Sequence, residues 1–190
     1  MNFFSYVVEH DYGLAPNPFG GYCTLAVCKP RIRKNQNLQI GDWIIGTGSK
    51  KLDKLNHLIY TMQVEEIISF DEYWNDIRFN YKKPKINGSL TQMYGDNFYH
   101  TDVKSKDWIQ ESSAHSVISQ SKHIQRDTSA NKVLISSNFY YLGDNAVLLP
   151  DHFFEICKKG PGMKYKDLDE IGPKFIKWVQ RHIQKGITGD

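Results

Sequence analysis

The sequence predicts an α+β fold with a small mixed, barrel-like β-sheet and flanking helices. Several short runs of apolar, β-branched and aromatic residues are separated by turn-rich segments, whereas few segments have a helical pattern. Because strands and helices do not alternate regularly, the parallel sheet of a doubly wound α/β protein is not expected. The sequence has no visible repeat or interdomain linker, so its 190 residues are predicted to form a single domain spanning residues 1–190.

The strand pattern is strongest in five segments. These are residues 3–8, 23–29, 42–47, 58–64 and 132–142. Thr61 and Gln63 alternate with apolar neighbours, which is typical of a half-buried strand. The segment 11–22 is predicted to be a loop, because Pro16 and Pro18 each lack an N–H and exclude a helix interior.

Two segments are predicted to be helical, residues 71–78 and 173–184. Ser69 precedes the first and is its predicted N-cap, with acidic residues in the first turn. The second is amphipathic and begins with a proline, which is acceptable at a helix start. Its predicted buried face contains Phe175, Ile176, Val179 and Ile183.

Composition narrows the class of protein. The net charge of +3 and the pI near 8.6 are too mildly basic to identify a nucleic-acid binder on their own. No apolar run has the 18 or so residues of a membrane span, so no membrane partner is expected. The first residues lack a signal-peptide pattern, and three cysteines are too few for a disulfide framework. We therefore expect a cytoplasmic protein.

A basic strip follows the second predicted strand. Lys29, Arg31 and Arg33 alternate with Pro30 and Ile32, so an extended chain would place all three cations on one face. Such a row suits successive phosphates. The alternative is an edge strand whose charges prevent aggregation.

Two polar, glycine-punctuated segments could recognise a base or sugar. Asp11 and Asn17 lie in the first loop, and Asp96 and Asn97 lie beside Tyr99, whose ring could stack on a base. The alternative for the second segment is an ordinary turn. If both segments are functional, we expect them to meet at the mouth of one cleft, with the basic strip at its rim.

Metal and cofactor sites are not predicted. If residues 23–29 form one strand, the odd separation of Cys23 and Cys28 places their side chains on opposite faces. The histidines have no metal-binding spacing, and no cofactor fingerprint is present. Cys23 lies beside the glycine-rich loop and could be a nucleophile, although a buried strand cysteine is the commoner case.

The sequence resembles two known families, one over two segments and the other over nearly the whole chain. The segments 41–49 and 58–67 are similar to those of PUA-like domains of the ASCH and EVE kind. Across nearly the whole chain the sequence resembles the nucleotide modification associated domain family, type 2. The matching residues are Asp11, Gly13, Ala15-Pro16-Asn17, Cys23-Thr24-Leu25-Ala26, Cys28-Lys29-Pro30, Arg31, Gly41-Asp42-Trp43, Gly46, Gly95-Asp96-Asn97 and Tyr99.

These resemblances imply a role in phage or bacterial systems that modify DNA bases, and the PUA-like one implies a small barrel that captures a base. The leading hypothesis is binding of a nucleotide or of a modified base in nucleic acid. The alternatives are an enzyme of base hypermodification, and an antiphage sensor of a free nucleotide. The expected binding residues are Asp11, Asn17, Thr24, Lys29, Arg31, Arg33, Trp43, Asp96, Asn97 and Tyr99. For an enzyme, the candidates are Asp11 or Asp96 as general base and Cys23 or Lys29 as nucleophile.

Overall fold

The computed structural model describes residues 1–115 and 121–189, which form two compact units. The first unit comprises Met1–Asp11, Asn35–Glu65 and Ser136–Asp190, and the second comprises Tyr12–Lys34 and Glu66–Ile135. The single domain expected over residues 1–190 stays a prediction. None of the helices in the described residues is both long and apolar enough to cross a membrane.

Helices and strands are numbered in chain order across both units. The first unit contains β1 (Phe3–Val8), β3 (Trp43–Gly48), β4 (His57–Gln63), β9 (Phe139–Tyr141), β10 (Val147–Leu148), β11 (Met163–Lys164), α5 (Ile171–His182) and β12 (Gly186–Ile187). The second unit contains β2 (Cys23–Leu25), α1 (Pro30–Arg33), β5 (Glu66–Ile68), α2 (Phe70–Asn75), α3 (Leu90–Met93), β6 (Tyr99–Thr101), β7 (Trp108–Gln110), α4 (Ser121–Thr128) and all but the last residue of β8 (Val133–Ser136). Short 3₁₀ helices lie at Lys50–Leu52, Ile77–Lys82, Gly143–Asn145 and Asp151–Ile156.

A mixed sheet is the centre of the first unit. Its strand order is β11-β1-β3-β4-β9-β12, with β10 beside β4; β1 and β3 are parallel, and β3, β4 and β9 are antiparallel. Phe175 and Val179 of α5 share one core cluster with Phe3 and Trp43. Since β11 and β12 end the strand order, the sheet does not close within the described residues. The α+β class is therefore confirmed, whereas a PUA-like barrel is not.

The second unit has a smaller core around Phe70, Tyr73 and Phe98. Its main sheet has the order β2-β8-β5, and β6 pairs with β7. The predicted cap of α2 is confirmed: Ser69 Oγ accepts the N–H of Glu72 at 3.2 Å, and Glu72 Oε2 accepts the N–H of Ser69 at 2.7 Å. This reciprocal capping box satisfies two N–H groups at the helix start.

Three predicted elements differ clearly from the structure in their bounds. The strand predicted at 23–29 ends at Leu25, and Cys28 and Lys29 have left-handed φ values of 55° and 42° that do not fit a strand. The helix predicted at 71–78 ends at Asn75, because the Asp76 carboxylate accepts the N–H of Arg78 at 2.9 Å and starts a 3₁₀ helix. The strand predicted at 132–142 is two strands, β8 and β9, in different sheets. Between them, Glu65 Oε2 accepts the N–H groups of Ser137 and Asn138, so these groups do not extend a ladder.

Candidate functional site

The second unit contains a buried polar network around Asp96. Thr24 Oγ1 donates to Asp96 Oδ2 at 2.6 Å, and the Tyr73 hydroxyl donates to Asp96 Oδ1 at 2.7 Å. All three side chains are fully buried. Burial raises the pKa of the Asp96 carboxyl, while the nearby Lys82 ammonium and the two hydroxyl donors act in the opposite direction.

Lys82 extends this network to the first loop. Its Nζ donates to Asn17 O at 2.9 Å, to Asn17 Oδ1 at 2.8 Å and to Tyr22 O at 2.8 Å. Three acceptors satisfy the three N–H bonds of the ammonium group. Burial lowers the pKa of Lys82 to about 8. Asn97 completes the network, because its Nδ2 donates to Tyr73 O at 2.9 Å and its N–H donates to Lys82 O at 3.0 Å.

The predicted residues Asn17, Thr24, Asp96 and Asn97 thus lie close together, although about 80 residues separate the ends of the set in sequence. They are buried rather than placed at a cleft mouth. Their hydrogen bonds join the first loop to the segment after α3, and Asn17 Nδ2 also donates to Tyr94 O at 3.4 Å. The geometry favours a network that holds loops in place.

The basic strip is not extended, so the expected row of three cations on one face is wrong. Lys29 has a φ of 42°, in the left-handed region, and residues 30–33 form α1. Pro30 is at the first turn of this helix, where its missing N–H has no cost. Arg31 is exposed and Lys29 is half-buried, whereas Arg33 is fully buried.

Arg33 is a structural side chain in this fold. Its guanidinium donates five hydrogen bonds to four backbone carbonyls, those of Cys28, Asp127, Ala130 and Lys132, at 2.8–3.2 Å. Burial lowers its pKa to about 10. Because all five N–H groups of the guanidinium donate to backbone carbonyls, Arg33 has no N–H group left to bind a phosphate.

The cysteines also differ from expectation. Cys28 lies outside β2 with a φ of 55°, so the argument that Cys23 and Cys28 occupy opposite faces of one strand does not apply. The Cys28 N–H donates to the buried carboxylate of Asp127 at 3.1 Å. Cys23 is fully buried. Within the residues that the structure describes, no group of three or more His, Cys, Asp or Glu side chains could hold a metal ion.

The two predicted stacking residues are core residues. Trp43 lies in the core cluster of the first unit. Tyr99 packs edge-to-face on Phe70, with centroids 5.6 Å apart, and its hydroxyl donates to Asp127 Oδ2 at 3.4 Å. Burial and the Asp127 carboxylate raise the pKa of Tyr99.

Asp11 lies in the first unit, where it contacts one end of a row of three tyrosines, Tyr6, Tyr60 and Tyr141. Tyr60 pairs with Gly46 on one side and Tyr141 on the other, and Gly46 pairs with Tyr6, so these positions share one face of the sheet. Gly46 leaves room for the Tyr60 ring, because a Cβ there would lie 2.3 Å from Tyr60 Cε1. The Tyr6 and Tyr60 hydroxyls are 2.8 Å apart, and the Tyr141 hydroxyl donates to Asp11 Oδ1 at 2.9 Å.

A cleft of about 700 Å³ lies at the sheet edge of the first unit. We name it the lysine cleft. Its lining is Asn56, Phe154, Glu155, Cys157, Lys158, Lys159, Met163, Lys164, Tyr165, Lys166 and Asp167. Four lysines and two carboxylates leave this lining with a net positive charge, and the volume falls in the usual range for small-molecule sites.

The chain forms the lysine cleft by a reversal after the 3₁₀ helix Asp151–Ile156. Gly160 and Gly162 have φ values of 75° and 95°, which glycine adopts without steric cost, and they return the chain to β11 at the edge of the sheet. Lysines before and after the turn therefore line one cleft. Tyr165 is half-buried, and its ring stacks on Phe4 with centroids 5.8 Å apart.

Burial raises the pKa of the Cys157 thiol in this cleft to about 11. Cys157 is therefore protonated at neutral pH and is a poor nucleophile. The sequence reasoning missed the lysine cleft, although the run from Lys158 to Lys166 combines four lysines with two glycines and an aromatic residue. This combination of lysines, glycines and an aromatic residue is the sequence signal from which the cleft could have been predicted.

Comparison with protein families found one match over the whole chain. A family model described as nucleotide modification associated domain 2 matches residues 1–190. Comparisons with curated proteins and with solved structures found no match.

Proposed function

The chain belongs to the nucleotide modification associated domain 2 family, and from this premise we propose that it binds a nucleotide or modified base whose phosphates occupy the lysine cleft. The family description connects the chain with nucleotide modification. The observation that carries the proposal is the cationic and aromatic lining of a cleft large enough for a small ligand. Lysine ammonium groups bind phosphate as point charges.

The cations of this cleft differ in how far they are already paired. Lys164 Nζ donates to Glu155 O at 2.8 Å and lies 3.6 Å from Glu155 Oε1. Lys159 and Lys166 are exposed, and their ammonium groups make no hydrogen bond or ion pair within the described part of the chain. These two charges are therefore available to a phosphate at no cost in internal contacts.

Tyr165 supplies the second property that a nucleotide site requires. A tyrosine ring provides a flat surface on which a base of any sequence can stack. Because Phe4 is fully buried and holds the ring by stacking, binding would lose little side-chain entropy. The carboxylates and the amide of Asn56 provide hydrogen-bonding groups of both kinds for a base or sugar.

We further propose that this binding serves a DNA base-modification or phage-related system in the cytoplasm. The support is the family membership, together with the three cysteines, which form no disulfide in the described residues.

The experiment is a titration of labelled nucleotides and oligonucleotides against two matched double variants. Lys159→Gln with Lys166→Gln removes two charges from the cleft, and Lys50→Gln with Lys177→Gln removes two exposed lysines elsewhere in the first unit. We expect about a tenfold loss of affinity in the cleft variant, as two lost phosphate contacts would give, and little change in the control. Equal affinities in the two variants would contradict the proposal.

A third variant tests the site predicted from sequence. Arg31→Gln removes the exposed arginine of α1. If the lysine cleft is the site, this variant binds like the wild type; if affinity falls here and not in the cleft variant, the phosphates lie at Lys29 and Arg31 instead. Mass spectrometry of the nucleotides after incubation would show whether the chain also converts them.

A further inference from the structure

A group of carboxylates lies next to the lysine cleft and would affect how long a phosphate-containing ligand the cleft can bind. A second cleft of about 590 Å³ is lined by Glu155, Asp167, Asp169 and Glu170, with His152, Phe153, Ile171 and Lys174. We name it the carboxylate cleft. Glu155 and Asp167 line both clefts, so the two adjoin within the first unit. A cationic cleft therefore ends in a region dominated by negative charge.

We infer that the lysine cleft takes a single nucleotide bearing a short phosphate chain and discriminates against a continuous strand; this inference rests on the proposed function. A strand extends on both sides of the nucleotide that is bound. On the side of Glu155 and Asp167, its next phosphates would enter the carboxylate cleft. They would then lie within a Debye length, about 10 Å at 0.1 M salt, of Asp169 and Glu170.

The charge of the cleft itself agrees with a short ligand. Four lysines against two carboxylates leave a net charge of two positive units on the lining. That charge can neutralise most of a mononucleotide, but it is far smaller than the positive surface with which proteins follow a strand. Arginines, which bind successive phosphates in a bidentate manner, are not among the lining residues that the structure describes.

Two of the four carboxylates, Asp169 and Glu170, also have a local structural explanation, which the test must separate from ligand selection. Asp169 and Glu170 directly precede α5, where negative charge is favourable to the N-terminal end of the helix dipole. A purely structural role predicts a small change in melting temperature and no change in ligand preference.

The test compares the wild type with Asp169→Asn/Glu170→Gln and with the control Glu9→Gln/Asp53→Asn, which removes two exposed carboxylates elsewhere in the first unit. The probes are the four common deoxynucleoside triphosphates, inorganic triphosphate and a single strand of about 20 nucleotides of mixed sequence, at about 50 mM salt, where screening is weak. We expect the wild type to bind a triphosphate more tightly than the oligonucleotide. In Asp169→Asn/Glu170→Gln the affinity for the oligonucleotide should rise about threefold to fivefold, as two charges at about 8 Å in water predict, with less than about a twofold change for the triphosphate.

The remaining outcomes separate this inference from the proposed function. A wild type that prefers the oligonucleotide, with binding that Lys159→Gln/Lys166→Gln weakens, would overturn the inference and leave the proposed function standing. If Asp169→Asn/Glu170→Gln left the affinity for the oligonucleotide unchanged, the inference would also be wrong and the proposed function would still stand. Absence of binding to every probe would overturn both. If inorganic triphosphate bound as tightly as the nucleotides, the nucleoside would contribute nothing to binding. The inference would then be wrong about the nucleotide, and the cleft would be a polyphosphate site.

Discussion

Replacing Arg33 by lysine should destabilise the chain strongly, although the charge is retained. The guanidinium of Arg33 makes five hydrogen bonds to four backbone carbonyls of the second unit. It joins α1 to the end of α4 and to the start of β8, because its partners include Asp127 O and Lys132 O. A lysine ammonium has three N–H bonds and cannot reproduce the planar fork.

The loss of stability can be worked out from the number of hydrogen bonds that lysine cannot make. At least two of the five hydrogen bonds disappear, each worth about 1.5–3 kcal/mol for a charged donor, while the charge stays buried. We therefore expect Arg33→Lys to lower the free energy of unfolding by about 3–6 kcal/mol. For a chain of this length that corresponds to a fall of roughly 10 °C in melting temperature.

Urea denaturation and thermal unfolding measure this loss, with Arg31→Lys as the matched control on the same short helix. Arg31 is exposed, so the control should change the free energy of unfolding by less than about 0.5 kcal/mol. If Arg33→Lys were as stable as the control, the buried carbonyls would have other donors, and the structural role assigned to Arg33 would be wrong.

Two further predictions concern other buried side chains. Since burial raises the pKa of Asp96, the folded chain keeps that proton to higher pH than the unfolded chain, and stability falls as pH rises from about 4 through the folded-state pKa. Asp96→Asn cannot ionise, so its stability relative to the wild type should increase over this pH range in urea titrations; parallel curves would contradict the burial argument. Gly46→Ala would place a Cβ 2.3 Å from Tyr60 Cε1, and we expect a loss of about 2–3 kcal/mol in the same assay, whereas a neutral effect would show that the tyrosine row can shift.

Local features were predictable from sequence where one short segment decides the structure. Ser69 was predicted as an N-cap from its place before the helix, and its Oγ accepts the N–H of Glu72 as an N-cap does. Helical spacing predicted most of the buried face of α5: Phe175, Ile176 and Val179 are buried, whereas Ile183 follows the last residue of the helix and is half-buried. The same reasoning failed for the basic strip, because cations two residues apart suit an extended strand and also a single turn of helix.

The site depended on contacts that local patterns do not contain. Sequence reasoning grouped Asn17, Asp96 and Asn97 by residue type, and the structure joins Asn17 to Asn97 through hydrogen bonds of Lys82. Their burial could not be foreseen, because a Gly-Asp-Asn segment has the same composition in an exposed turn as in a buried one. Tyr73 was expected on a helix, and its hydroxyl partner Asp96 lies 23 residues further along the chain.

The pairing of the cations explains why the proposed site is made of lysines. Arg78 has two carboxylate partners, since its guanidinium binds Glu66 in a bidentate manner and also binds Asp76. Arg126 binds Asp127 with two nitrogens, and Arg33 and Lys82 are buried on carbonyl oxygens. Each of these cations would have to break internal hydrogen bonds to meet a phosphate, and that cost is comparable to the free energy of the new phosphate hydrogen bonds. Within the part of the chain that the structure describes, Lys159 and Lys166 have no such bonds to break, which supports the proposal that an anion binds at the lysine cleft rather than at these four cations.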